Sequence, residues 1–186
     1  MVLNSELTYT KNSLFCPKPE YWNSPDIQAT ENEVSELVGS FVRALQPELV
    51  IETGTYLGHT TKIIGESLNK NGHGRCISLE LDEKMALISK EKTSSLPVEI
   101  ICTSSIEWLK NLKQNVDFAW LDSAINTRAI ELELLYPNIT TGGIIGIHDT
   151  GPQHKTEVYL KPVLEKINLS CIKLRTPRGV SFYQKN

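Results

Sequence analysis

One stretch constrains the fold more than any other: Glu48 to Thr61, ELVIETGTYLGHTT. Leu49, Val50 and Ile51 form an apolar, β-branched run, too short for a helix and closed by glycine, the pattern of a strand buried on both faces. Gly54 and Gly58 bracket a turn, where glycine permits positive φ or the close approach of a ligand. Thr60 and Thr61 then open a helix whose first N–H groups and positive dipole end face that turn. Strand, glycine turn and helix N-terminus in succession build the crevice at which open α/β sheets bind anionic or carboxylate-bearing ligands.

The side chains narrow the ligand. A dinucleotide cradle reads G-x-G-x-x-G, whereas this chain has Gly54-x-x-x-Gly58. Glu52, two residues before the first glycine, repels a pyrophosphate and attracts a cationic amino group. An amino-acid-bearing cofactor is therefore favoured over a dinucleotide.

The 186 residues suffice for one domain with a sizeable core, and no linker or repeat divides them. Residues 1–28 carry proline, asparagine and aromatics without periodicity and read as an irregular arm that covers the site; residues 29–186 read as a single domain. With 19 Lys+Arg against 22 Asp+Glu, the net charge of -3 gives no basic footprint for nucleic acid. No run approaches the ~20 apolar residues that span a bilayer, so no membrane partner is expected and a cytoplasmic location is. Cys16, Cys76, Cys102 and Cys171 lie far apart, three of them in strand-like runs, and read as small core thiols rather than a zinc site or disulfide framework.

Along the chain, Thr30 and Glu33 have the spacing of a capping box, followed by Val34, Leu37, Val38, Phe41, Val42 and Leu45 on one helical face. A helix after the glycine turn stops at Asn71-Gly72-His73-Gly74. Arg75–Glu80 is a second strand whose tip carries Glu80, an acid able to accept both hydroxyls of a ribose; the alternative is a solvated acid at a helix start. A helix over 83–92 precedes a third strand, Val98–Cys102. Ser104 or Ser105 then caps a helix carrying Ile106, Leu109 and Leu112. The fourth strand, Val116–Leu121, ends on Asp122 at the topological switch point. A helix over 127–137, with Ile130, Leu134 and Leu135 inward, leads through Thr141-Gly142-Gly143 to a fifth strand, Ile144–Ile147, ending at His148-Asp149-Thr150. Two carboxylates at neighbouring strand tips, with an imidazole beside the second, offer the oxygen ligands of a hard cation such as magnesium; the alternative is a set of hydrogen-bonded turn residues. A helix over 155–167, a strand over 169–174, a Pro177-Arg178-Gly179 turn and a last antiparallel strand, Val180–Tyr183, close the chain.

The acid, glycine turn and threonines of Glu52–Thr61 resemble motif I of the class I S-adenosylmethionine (SAM) methyltransferases, and the resemblance extends from Thr30 to the C-terminus. It implies a Rossmann-like three-layer α/β sandwich with a seven-stranded, mostly parallel sheet of order 3-2-1-4-5-7-6, strand seven antiparallel. It implies SAM binding, with SAH as product, by Glu52, Gly54, Thr55, Tyr56, Gly58, Thr60, Glu80, Leu81, Ser104, Ser105 and Asp122. The segment LDSAINTRAIELELLYPNITTGGIIGIHDTG is similar to the small-molecule O-methyltransferases of the catechol, macrolide-sugar and cephalosporin-hydroxylase-like types. That likeness implies catalysis by His148, Asp122 and Asp149, with Mg2+ or another divalent cation held by Asp122, Asp149 and His148. The catechol type has asparagine at the place of Thr150 and lysine at that of Ile125, so neither a catechol acceptor nor a lysine base is implied. His148 stands where the cephalosporin-hydroxylase-like group has an acid, which makes it a metal ligand or a proton acceptor. The expected activity is metal-assisted methyl transfer to a hydroxyl of a small-molecule acceptor, by a chain that could form a homo-oligomer. The rival readings are an NAD-dependent Rossmann oxidoreductase and a non-catalytic SAM-fold binding module.

Overall fold

The computed structural model describes residues 7–9 and 15–186. Strands β1 (Leu7–Thr8) and β2 (Asn23–Ser24) form a two-residue antiparallel ladder, with a 3-10 turn at Pro19–Tyr21 between them. The described part of the arm is otherwise irregular, and the rest of that expectation lies outside the described residues. The domain proper runs α1 (Asn32–Leu45), β3 (Leu49–Thr53), α2 (His59–Asn71), β4 (Arg75–Glu80), α3 (Glu83–Lys92), β5 (Val98–Cys102), α4 (Ser105–Leu109), β6 (Val116–Leu121), α5 (Arg128–Leu135), β7 (Ile139–His148), α6 (Thr156–Leu164), β8 (Leu169–Leu174) and β9 (Val180–Lys185). Among the described residues no helix is long and apolar enough to cross a membrane.

The main sheet has the order β5-β4-β3-β6-β7-β9-β8. Its first five strands pair in parallel, and β9 pairs antiparallel with both β7 and β8. Counted from β3, this is the order that the resemblance implies. Side chains alternate between the faces of a strand, so neighbours in β3 enter different cores. Ile51 joins Leu79, Leu121, Leu132, Leu135 and Leu160 under α4, α5 and α6. Val50 joins Val34, Val38, Val42, Ile64, Leu68 and Trp120 under α1 and α2. Both faces are covered, which is why the parallel strands read as continuous apolar runs.

Several local expectations are corrected. The capping box at Thr30 does not form: the Thr30 hydroxyl donates to Asp122 Oδ2 at 2.6 Å, and Glu33 Oε2 accepts from the Asn23 amide instead. Ser104 stands at the N-cap of α4 without a side-chain bond, and the Ser105 hydroxyl donates to Glu131. Helix α4 ends at Leu109, with Leu112 packing from beyond it. On α5 the inward face is Ala129, Leu132 and Leu135, while Ile130 is exposed. Strand β7 starts at Ile139 rather than Ile144, because Gly142 (φ 81) lets the strand continue through a register shift that the two glycines had suggested was a turn. None of the four cysteines forms a disulfide; Cys16 and Cys76 are buried, but Cys102 and Cys171 are exposed on outer strands.

Candidate active site

The carboxyl ends of β3, β4, β5 and β6 open onto a cleft of about 640 Å3, within the size range of small-molecule sites. Gly54 turns the chain away from β3 with φ 81, and a Cβ there would lie 2.4 Å from the Asp122 carbonyl oxygen. The glycine is thus required by backbone conformation and by the close passage of β6, not by room for a ligand. Gly58, at φ 70, lies against Ser89 of α3, whose Cβ would be 2.9 Å from an added Cβ. Tyr56 also has positive φ, an outlier for a bulky residue; its amide donates to Glu80 Oε2 at 2.7 Å and its hydroxyl to Asp26 of the arm at 3.2 Å.

Gly54, Tyr56, Glu80, Leu81, Ser104, Ser105 and Asp122 come together on the cleft wall. Thr55 and Thr60 line a smaller recess beside it with Thr30 and His59. Glu52 and Gly58 line neither. Glu52 is 1% exposed, and its Oε2 accepts from Thr61 Oγ1 at 2.5 Å and Ser78 Oγ at 2.6 Å, binding the first turn of α2 to β4. Burial outweighs these two hydroxyls and pushes its carboxyl up to about 7. Glu80 Oε1 accepts from the Asp82 amide at 2.9 Å, so both oxygens are aimed by backbone donors while the tip of β4 remains on the cleft. Ile27 and Gln28 of the arm line one side of the cleft.

At the tips of β6 and β7, Asp122, His148 and Asp149 converge, with ligand atoms within 4.8 Å of one another. Every one of these groups is already engaged. Arg128 Nη2 lies 3.0 Å from both Asp122 Oδ1 and Asp149 Oδ2. Arg178 grips Asp149 with two donors, Nε to Oδ1 at 2.6 Å and Nη2 to Oδ2 at 3.0 Å. His148 is fully buried, with Nδ1 3.0 Å from Asp122 Oδ1 and Nε2 2.6 Å from Glu31 Oε2. Burial alone pulls this imidazole down, but the Asp122 and Glu31 carboxylates outweigh it and push the group up to about 9. Burial likewise opposes ionisation of Asp149, yet His148, Arg128 and Arg178 hold it well below the usual carboxylate range. Three carboxylates, Glu31, Asp122 and Asp149, therefore face three cations, Arg128, Arg178 and His148. His154 Nε2 stands 3.4 Å from Asp149 Oδ1, and burial above all lowers its pKa.

Glu31, Arg128, Glu131 and Arg178 carry no role that is readable from sequence pattern alone. Arg178 looked like a turn residue; in the structure its Nη1 donates to the carbonyls of Gln28 and Ala29, fastening the arm to the hairpin before β9. Glu131, buried in α5, accepts from Thr53 at 2.9 Å, from Ser123 at 2.7 Å and from Ser105, tying three strand-end loops beneath the cleft. Arg128 carried one readable signal. A cation in the first turn of a helix opposes the macrodipole and needs a carboxylate from elsewhere to remain there.

The sheet order, the glycine turn after β3 and the acids at the tips of β4 and β6 together define a class I methyltransferase fold with its cleft at the switch point. Residues 51–150 match the family described as methyltransferase domain, and the chain belongs to that family. Among solved structures, a Podospora anserina methyltransferase in its SAH-bound form is similar with a TM-score of 0.73 at 16% identity, over 86% of this chain and 80% of that one. The Bacillus cereus O-methyltransferase in complex with SAH gives 0.72 at 16% identity, over 87% and 84%. The Streptomyces achromogenes O-methyltransferase TomG, involved in tomaymycin synthesis and solved with SAM, gives 0.72 at 14% identity, over 86% and 82%. At such identities the likeness shows the fold alone. No curated protein matches the chain.

Proposed function

We propose that the chain transfers a methyl group from SAM to a hydroxyl oxygen of a small molecule. The observation that carries this reading is the Glu80 carboxylate, aimed into the cleft by the Tyr56 and Asp82 amides. Its two oxygens suit a vicinal diol, the ribose of an adenosyl group. Leu79, Leu81 and Ile106 offer apolar wall to a base, and Ser104 and Ser105 offer hydroxyls beside it. Thr60 and the first amides of α2 offer donors to a carboxylate in the adjoining recess. Glu52 acts from below, by holding Thr61 and Ser78 in place. When bound, SAM supplies a methyl group on a cationic sulfur.

The chain's own part is to orient and to shield. The arm residues Ile27 and Gln28 close one side of the cleft, and Asp122, Arg128 and Arg178 form a rigid polar wall on another. Methyl transfer needs the acceptor oxygen in line with the leaving sulfur, so a fixed wall contributes by removing misaligned approaches. His148 is buried with both ring nitrogens engaged, Nδ1 by Asp122 and Nε2 by Glu31, so neither is directed into the cleft as a proton acceptor or a metal ligand. Nor do Asp122 and Asp149 fit a divalent cation as they stand, since Arg128 and Arg178 hold their oxygens. On this reading the three residues position the cleft wall.

The test is SAH release from SAM in the presence of panels of small hydroxyl, amine and thiol acceptors. Turnover with hydroxyl compounds is expected; turnover confined to amines or thiols would overturn the oxygen assignment. Binding of NADH in place of SAH would favour an oxidoreductase and defeat the reading altogether.

A further inference from the structure

We infer that the guanidinium of Arg128 takes the place of a divalent cation between Asp122 and Asp149, so that the chain carries a fixed cation of its own where the acids could otherwise hold a metal. Nη2 stands 3.0 Å from one oxygen of each acid, bridging the tips of β6 and β7 as a shared metal ion would. It is not a chance contact of a mobile side chain. Arg128 is 3% exposed, and its other nitrogens are tied to backbone, Nε to the Ser123 carbonyl at 2.9 Å and Nη1 to the His148 carbonyl at 2.5 Å. Four of the five N–H bonds of a guanidinium are thereby directed at fixed oxygens, from strand-tip residues on both sides.

Charge and ligand supply lead the same way. The carboxylates of Glu31, Asp122 and Asp149 already face the guanidiniums of Arg128 and Arg178, so a divalent ion added to the intact cluster would leave an uncompensated positive charge in a buried setting, where such excess is costly. Small hard cations need several oxygens with lone pairs directed at them. Asp122 Oδ2 accepts from Thr30, Asp122 Oδ1 from Arg128 and His148, and both Asp149 oxygens accept from Arg178. Entry of a metal would require Arg128 to leave a site built around it.

The fixed cation also has a mechanical consequence. Because the same guanidinium touches Ser123, Asp122, His148 and Asp149, it locks the ends of β6 and β7 against the start of α5, and it does so on the wall of the cleft. A metal ion in that place would make the wall's geometry depend on the supply of metal. A guanidinium makes it permanent.

The experiment is a titration of Mn2+ into the full chain, following the electron paramagnetic resonance signal of the free ion, with SAH affinity measured on the same samples so that cofactor binding is judged separately. Wild type is expected to leave Mn2+ free, and SAH affinity to be the same in EDTA as in Mn2+. Arg128→Met, which removes the charge and keeps the apolar stem, is expected to capture about one Mn2+ per chain, and Arg128→Lys, which keeps a charge, to capture none. Capture of about one Mn2+ by wild type, lost in Asp149→Asn, would overturn the proposal. So would a folded Arg128→Met that captures none, or equal capture by Arg128→Lys and Arg128→Met. Should Arg128→Met fail to fold, the wild-type titration alone decides.

Discussion

The buried imidazole of His148 gives a quantitative prediction for stability against pH. In the folded chain its pKa lies at about 9, against about 6.5 for an unperturbed histidine. The folded state thus binds the proton more tightly than the unfolded one. The stabilisation is fully present below pH ~6.5 and is lost as pH rises through about 9. At about 1.4 kcal/mol for each tenfold change, the gap amounts to about 3 kcal/mol, a large share of the ~5–15 kcal/mol by which domains are stable. The groups that set it are Glu31 from the start of α1 and Asp122 from the tip of β6, with Asp149 at 3.8 Å. The perturbation is His148→Gln, which keeps polar atoms near both carboxylates and removes the titration. Urea unfolding of both proteins at pH 6 and pH 9.5 subtracts every other group that ionises over the same range. Wild type should lose about 3 kcal/mol more than the variant between the two pH values. Parallel pH profiles would refute the reasoning and mean that His148 is neutral in the folded chain.

Glu52 titrates with the opposite cost: burial raises its folded pKa to about 7, so the unfolded state releases the proton first and stability falls as pH rises between about 4.5 and 7. Glu52→Gln should therefore be more stable than wild type at pH 8, by up to about 3 kcal/mol, in the same unfolding assay. Gly54→Ala should destabilise by several kcal/mol, on the order of 2 or more, because it combines positive φ with a Cβ driven against the Asp122 carbonyl; a thermal melt checks it. Glu80→Ala should weaken SAH by roughly 1–3 kcal/mol in a calorimetric titration, since it removes an acceptor for the ligand.

Much of the fold is legible in the amino-acid sequence. Strands β4, β5, β6 and β8 fall on the expected residues because each is an apolar run bounded by turn chemistry, and the sheet order follows from the βα alternation. The wall residues Gly54, Glu80 and Asp122 were legible because each ends such a run, and a strand end fixes where a side chain points. What stayed hidden depends on contacts remote in sequence. Thr30 looked like a cap because its partner, Asp122, is 92 positions away. Glu31 passed as a polar residue between two members of a capping pattern, although it meets His148, Thr176 and Arg178. Asp122, His148 and Asp149 read as metal ligands because a sequence displays the acids that converge and not the arginines that arrive from α5 and the last hairpin.

SAM binding in the cleft beside Glu80 is tested most directly by calorimetric titration of SAH into the protein. Saturable binding of one SAH per chain is expected in EDTA, weakened in Glu80→Ala. Absence of binding by a folded wild-type chain, or binding that Glu80→Ala leaves unchanged, would contradict it.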